Sequence, residues 1–136
     1  MAKTKKVDYT YAVGKRRTAV ARVRVFRGKG ENTVNSKPFS KYFEGEIAKK
    51  LITKPFGVTE TSDKYYFSSR VVGGGKHSQL EAVILGIART LSKISPEKNN
   101  PLLRKIGLLT RDSRERQRRM VGKGGKSRRK KQSPKR

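Results

Sequence analysis

The chain has 136 residues and a formal charge of +26, from 36 lysines and arginines against 10 acids. That length leaves room for one folded unit and excludes two large domains, while so large a cationic excess on a small body repels itself and calls for a polyanion, nucleic acid being the commonest. Cysteine is absent, which excludes a disulfide framework or thiolate metal site; the longest apolar stretch, Ala82 to Ile87, is far too short for a membrane span, and no apolar signal core follows Met1 to Lys6, so a soluble, unprocessed chain is expected.

Ala19 to Phe26 alternates, with Ala19, Ala21, Val23 and Val25 on one side of a strand and Val20, Arg22, Arg24 and Phe26 on the other. Arg27 to Asn32 supplies turn residues and Thr33 to Asn35 a short strand, so the pair is expected to form a hairpin. After Pro38, the spacing of Phe39, Tyr42, Phe43, Ile47 and Leu51 predicts helical turns across Ser40 to Ile52, interrupted at Gly45 and ended by Pro55. Tyr65 to Val72 is aromatic and β-branched, hence a strand, and stops at Gly73-Gly74-Gly75. Leu80, Val83, Ile84, Ile87 and Leu91 form one helical stripe, opened by Ser78 and Glu81 at capping-box spacing and closed by Pro96. A shorter helix follows within Pro101 to Gly107, and Leu108-Leu109-Thr110 is the last apolar patch. Arg111 to Arg136 holds 13 cations and two acids, with Met120 and Val121 its only aliphatic hydrophobes, so it cannot form a core. Such a tail reaches up to about 85 Å at roughly 3.3 Å per residue. The organisation expected is a segment 1–9, a globular RNA-binding domain 10–110 and an extended basic tail 111–136.

The triple glycine before a helix has the character of a phosphate cradle, with Gly73, Gly74, Gly75 and Lys76 as its members, and equally that of a tight strand-to-helix connection. It is not a nucleotide P-loop: Gly75-Lys76 is followed by His77, and Arg70 stands where that motif needs its first glycine. His77 is the sole histidine, and Asp8, Glu31, Glu60, Asp63 and Glu97 are scattered, so no catalytic or metal-binding residue is expected and no cofactor is called for. The cations do form clusters: Lys15, Arg16 and Arg17; Arg22 and Arg24; Arg111, Arg114, Arg116, Arg118 and Arg119; then Lys123, Lys126, Arg128, Arg129, Lys130 and Lys131. Guanidinium forks suit phosphate oxygens, and the glycines at 122, 124 and 125 let the tail turn closely around them. Folded RNA is favoured over bare DNA, because a head with a long cationic arm suits an irregular cavity and no helix-turn-helix or zinc-finger pattern is present. Neutralising about ten phosphates would give a log-log salt slope of roughly −7 to −9.

The order of motifs resembles the S nine family of small-subunit ribosomal proteins, of bacterial and organellar type, across Tyr11 to Arg136. Its carriers are Val13 to Val23, Val34-Asn35 with Pro38 and Tyr42-Phe43, then Gly73 to Gly75 with Gln79, Ala82 and Gly86 to Arg89. Gly107 to Asp112 and the final Lys135-Arg136 complete the set. The resemblance implies an α+β fold with a four-stranded sheet packed by helices, a left-handed β-α-β crossover, and a tail buried in ribosomal RNA. It also implies a place in the head of the small subunit, with neighbouring ribosomal proteins and small-subunit rRNA as partners, no membrane, and a cytoplasmic or organellar ribosome as location. Lys135 and Arg136 would contact backbone phosphates of the peptidyl-site tRNA without reading bases. The chain departs from the family pattern at Ser78-Gln79-Leu80, at Gln117 and Met120, and at Gln132 to Arg136, where an aromatic residue before the terminal Ser-Lys-Arg is missing. The rival readings are a free nucleic-acid-compacting protein and a nucleotide-using enzyme.

Overall fold

The computed structural model describes residues 8–122 and residue 124. Five strands, β1 (Tyr9–Arg16), β2 (Ala19–Arg27), β3 (Thr33–Val34), β4 (Lys37–Pro38) and β5 (Tyr65–Val72), form one sheet in the order β1-β2-β5-β3-β4. Four helices accompany it: α1 (Phe39–Tyr42), α2 (Glu46–Val58), α3 (Lys76–Ile94) and α4 (Pro96–Ile106). The α+β class is as expected, but the sheet has five strands where four were anticipated. The two-residue β4 pairs with β3 across an Asn35-Ser36 turn in which both residues have left-handed φ, the geometry a two-residue hairpin needs.

The alternation in β2 produces the core. Ala19, Ala21, Val23 and Val25 are 0–2 % exposed beneath α3, whose Leu80, Val83, Ile87 and Leu91 are likewise buried. Each of the large side chains removed from water stabilises the fold by about 1.5–3 kcal/mol. Close approach is set by two glycines: a Cβ at Gly14 would overlap the Ala82 carbonyl oxygen, and one at Gly86 would sit 2.5 Å from Val23 Cγ2. Phe67 of β5 is wholly buried and stacks on Phe56 of α2, with centroids 6.1 Å apart, which ties the second helix to the sheet. At the free edge, Arg89 and Lys93 of α3 donate to the Val13 and Tyr11 carbonyl oxygens at 2.7 and 2.8 Å. Cations seated on β1 in this way discourage a foreign strand from pairing there.

Several expectations are corrected. The expected hairpin between β2 and β3 does not form: β2 pairs with β1 and β5, both antiparallel, and β3 runs parallel to β5 on its far side. The connecting loop arches over the start of β5, with the Gly28 amide bonded to the Lys64 carbonyl and Asn32 Oδ1 accepting from the Phe67 amide. The helical stripe after Pro38 is broken in phase. Because Gly45 separates α1 from α2, Ile47 is 76 % exposed and Leu51 half-exposed, while Ala48, Ile52 and Phe56 turn inward. Pro55 lies inside α2 instead of ending it, α4 begins at Pro96, and Ser78 is a buried residue within α3, which starts at Lys76 without a side-chain cap. Glu81 is thereby released for another partner.

Candidate nucleic-acid interface

Strand alternation places a second set of residues on the face of the sheet opposite α3. In register these are Val13, Arg22 and Arg70 in one row, and Tyr11, Arg24 and Ser68 in the next. Arg22, Arg24 and Arg70 are exposed and line a groove of about 710 Å³ together with Asn35, Ser36 and Ser68; among the described residues no carboxylate lines it. Arg22 directly opposite Arg70 is a like-charged cross-strand pair, which destabilises a bare sheet by a few tenths of a kcal/mol. A phosphate between two such forks reverses the sign of that interaction. The far end of the face is closed by an aromatic row: Phe26 lies 5.7 Å from Tyr9 and stacks at 5.1 Å on Tyr66, with Arg24 over the Tyr9 ring at 5.0 Å.

The other end of the sheet gathers the β1–β2 turn, the glycine connection and the start of α3. Arg17 occupies that turn with φ 52°, and Lys15 is exposed on the last residues of β1. Gly73 and Gly74 have φ of 76° and 61°, and a Cβ on Gly73 would collide with the Thr18 carbonyl oxygen. Conformation and crowding therefore account for both glycines as a strand-to-helix connection. A chain of hydrogen bonds braces it: Gln79 Nε2 donates to the Gly73 carbonyl at 2.9 Å, Tyr42 donates its hydroxyl to Gln79 Oε1 at 2.6 Å, and Asn35 Nδ2 donates to the Tyr42 oxygen at 3.3 Å. Lys76 is drawn onto the same tyrosine, its ammonium 3.1 Å from the Tyr42 carbonyl and 3.5 Å from the ring centroid. His77 is exposed, and no cluster among the described residues has metal-ligating composition.

Arg16 stands apart from its basic neighbours. Strand alternation turns it to the same side as Ala12 and Gly14, toward α3, where it is only 7 % exposed. Its Nε lies 2.6 Å from Glu81 Oε2, its Nη1 2.8 Å from Asp112 Oδ1, and Nη1 also donates to the Arg114 carbonyl at 3.1 Å. Arg114 grips Asp112 in turn, through Nη2 at 2.7 Å and its own amide at 3.0 Å. These hydrogen bonds from Arg114, with smaller help from the charges of Arg114 and Arg16, hold the Asp112 carboxyl well below the usual carboxylate range.

The structure thus brings Lys15, Arg22 and Arg24 onto one face and sets Arg17, the glycines and Lys76 together at its end. Arg111, Arg114, Arg116, Arg118 and Arg119 follow on an exposed segment without helix or strand. Lys123, Lys126, Arg128, Arg129, Lys130, Lys131, Lys135 and Arg136 lie outside the described residues. Arg70, Ser68 and Ser36, which line the groove, were not expected as candidate interface residues; the two-residue period of β5 was the available signal, but only the pairing of β5 with β2 sets Arg70 beside Arg22.

Comparison with known proteins places the chain among relatives of one kind. The chain is 44 % identical over 111 residues to the small ribosomal subunit protein uS9 of Leifsonia xyli subsp. xyli, covering 82 % of this chain and 66 % of that one. It is 40 % identical over 118 residues to uS9 of Maridesulfovibrio salexigens, covering 87 % and 90 %, and 42 % identical over 116 residues to uS9 of Sorangium cellulosum, covering 85 % and 88 %. The chain spans just under two thirds of the first relative and about nine tenths of the second. Residues 14–136 match the family described as Ribosomal protein S9/S16, and with relatives at this level of identity the chain belongs to that family.

Proposed function

We propose that the protein is a structural constituent of the small ribosomal subunit that holds small-subunit rRNA through its uncovered sheet face and its cationic tail. The observation that carries this reading is the Arg22–Arg70 pair, with Arg24 beside it, facing away from the core in a groove that no carboxylate of the described residues lines. Guanidinium forks over a broad shallow face bind phosphate oxygens by charge-assisted hydrogen bonds and do not need base readout. Lys15 and Arg17 extend the same surface, and Arg111 to Arg119 continue it along the chain. The role is architectural, not catalytic: the protein fixes RNA geometry.

Finer elements of the same reading are also proposed. The parallel pair β3 and β5 is joined through β4, α1 and α2, and the left-handed crossover is assigned to this connection. The body sits in the head of the subunit beside neighbouring ribosomal proteins, on a ribosome in the cytoplasm or an organelle. The terminal Lys135 and Arg136 reach the backbone of the peptidyl-site tRNA, holding any tRNA without reading its sequence.

Reconstituted small subunits provide the test. The protein is expected to co-sediment with them at moderate salt, and removal of Lys135 and Arg136 is expected to weaken peptidyl-site tRNA retention while leaving assembly intact. Association with DNA alone, to the exclusion of ribosomal particles, overturns the reading; unchanged tRNA affinity removes its tRNA element.

A further inference from the structure

The geometry points to Arg16, clasped by Glu81 and Asp112, as the positioning residue that fixes the direction in which the C-terminal arm leaves the body, and not as a phosphate ligand. Where the arm goes on RNA rests on the function proposed above; how it departs does not.

Three features carry this inference. First, the anchor is rigid: Arg16 ends β1 on its α3-facing side, and Glu81 comes from the second turn of α3 beside the Gly14–Ala82 contact. Second, the contacts seize the main chain. Nη1 donates to the Asp112 and Arg114 carbonyls at 3.3 and 3.1 Å, so the path of the backbone is held as well as one side chain. Leu108 and Leu109 still pack on the core, and the clasp catches the chain just after it leaves them. Third, the charge is unlike that of the rest of the molecule. The whole sequence has only 10 acids for 36 cations, yet two of those acids converge on this one guanidinium. A guanidinium that is mostly buried and already paired with two carboxylates presents little net charge to a phosphate.

The absence of cysteine makes the test direct, because two spin labels can be introduced without background. In the full free chain, labels at Lys50→Cys on α2 and Gln117→Cys on the arm, both exposed positions, report the distance between body and arm. The parent is expected to give a narrow distribution. Arg16→Met and Asp112→Ala are each expected to widen it about twofold, and the two together no further than the wider single variant, as for members of one interaction. Arg111→Met, which removes the same charge one residue away, is expected to leave it narrow. If Arg16→Met fails to fold by far-UV circular dichroism, Asp112→Ala still decides, since that residue lies outside the core. A broad parent distribution, an unchanged width in Asp112→Ala, or equal widening by Arg111→Met overturns the proposal. Because no RNA is present, failure here is separate from failure of the ribosomal reading.

Discussion

The two faces of the β1–β2–β5 sheet are built from the same strands and differ in what each alternate residue must do. On the α3 side the side chains of β2 are small or aliphatic and all but unexposed, and Gly14 and Gly86 let backbones approach where any Cβ would intrude. On the other side Arg22 stands opposite Arg70 with Arg24 in the next row, all exposed, an arrangement that burial would never tolerate. One face is shaped by exclusion of water, and the other carries like charges that suit an anionic partner. A sheet of this kind separates the residues that make the fold from those proposed to hold RNA, one position apart in sequence.

That separation can be broken most severely from inside. Gly14→Val pushes a branched side chain into the Ala82 carbonyl and is expected to destabilise the domain by about 3 kcal/mol or more, read from the midpoint of urea unfolding. A shift below about 1 kcal/mol would mean that α3 can move off the sheet at little cost. On the outer face the same measurement should show almost nothing. Replacing Arg22 and Arg70 together by Ala is expected to change stability by only a few tenths of a kcal/mol, in the stabilising direction as the like-charged pair is removed. Binding to an rRNA fragment should instead lose about 1.5 in log-log salt slope, at roughly 0.7–0.9 per phosphate contact. A large loss of stability with an unchanged slope would reverse the assignment of the two faces.

The smallest effect concerns acid. Asp112 is held below its ordinary range by Arg114 and, less strongly, by Arg16, so its interactions stabilise the folded state at pH values above the unfolded carboxylate value of about 3.9. That stabilisation declines as pH falls below this value toward the depressed folded one. Amide shifts of Asp112 to Arg114, followed by NMR, should therefore hold steady from neutrality down to the usual carboxylate range and move only in stronger acid. A transition centred near pH 4 would show that the Arg114–Asp112 pairing is not formed in solution.

Much of the fold was legible where periodicity and burial coincide. The alternation of Ala19 to Val25, the β-branched run Tyr65 to Val72 and the stripe through Leu91 all appear as strand, strand and helix. β1 escaped notice because its large residues, Tyr9 and Tyr11, face outward while Ala12 and Gly14 face the core, which inverts the usual hydrophobic signal. The partner of β3 was not readable either, since pairing across a long connection is a tertiary choice that no local turn signal encodes. The basic character of the interface was plain from composition, but its division was not. Arg16 and Arg17 are adjacent letters of one cluster, and only strand alternation sends the first inward to two carboxylates and leaves the second in the turn.

The placement of β5 between β2 and β3 has a consequence for how the molecule is made. A chain emerging from its own synthesis can close β1 on β2 at once, because they are joined by a short turn. Thr33 and Val34 must wait for Ser68 and Ser69, and α3, which seals the core, comes later still. Until that helix has been added, the apolar side of the first hairpin faces water. The nascent protein therefore passes through an interval of open, sticky surface whose length is set by the speed of translation.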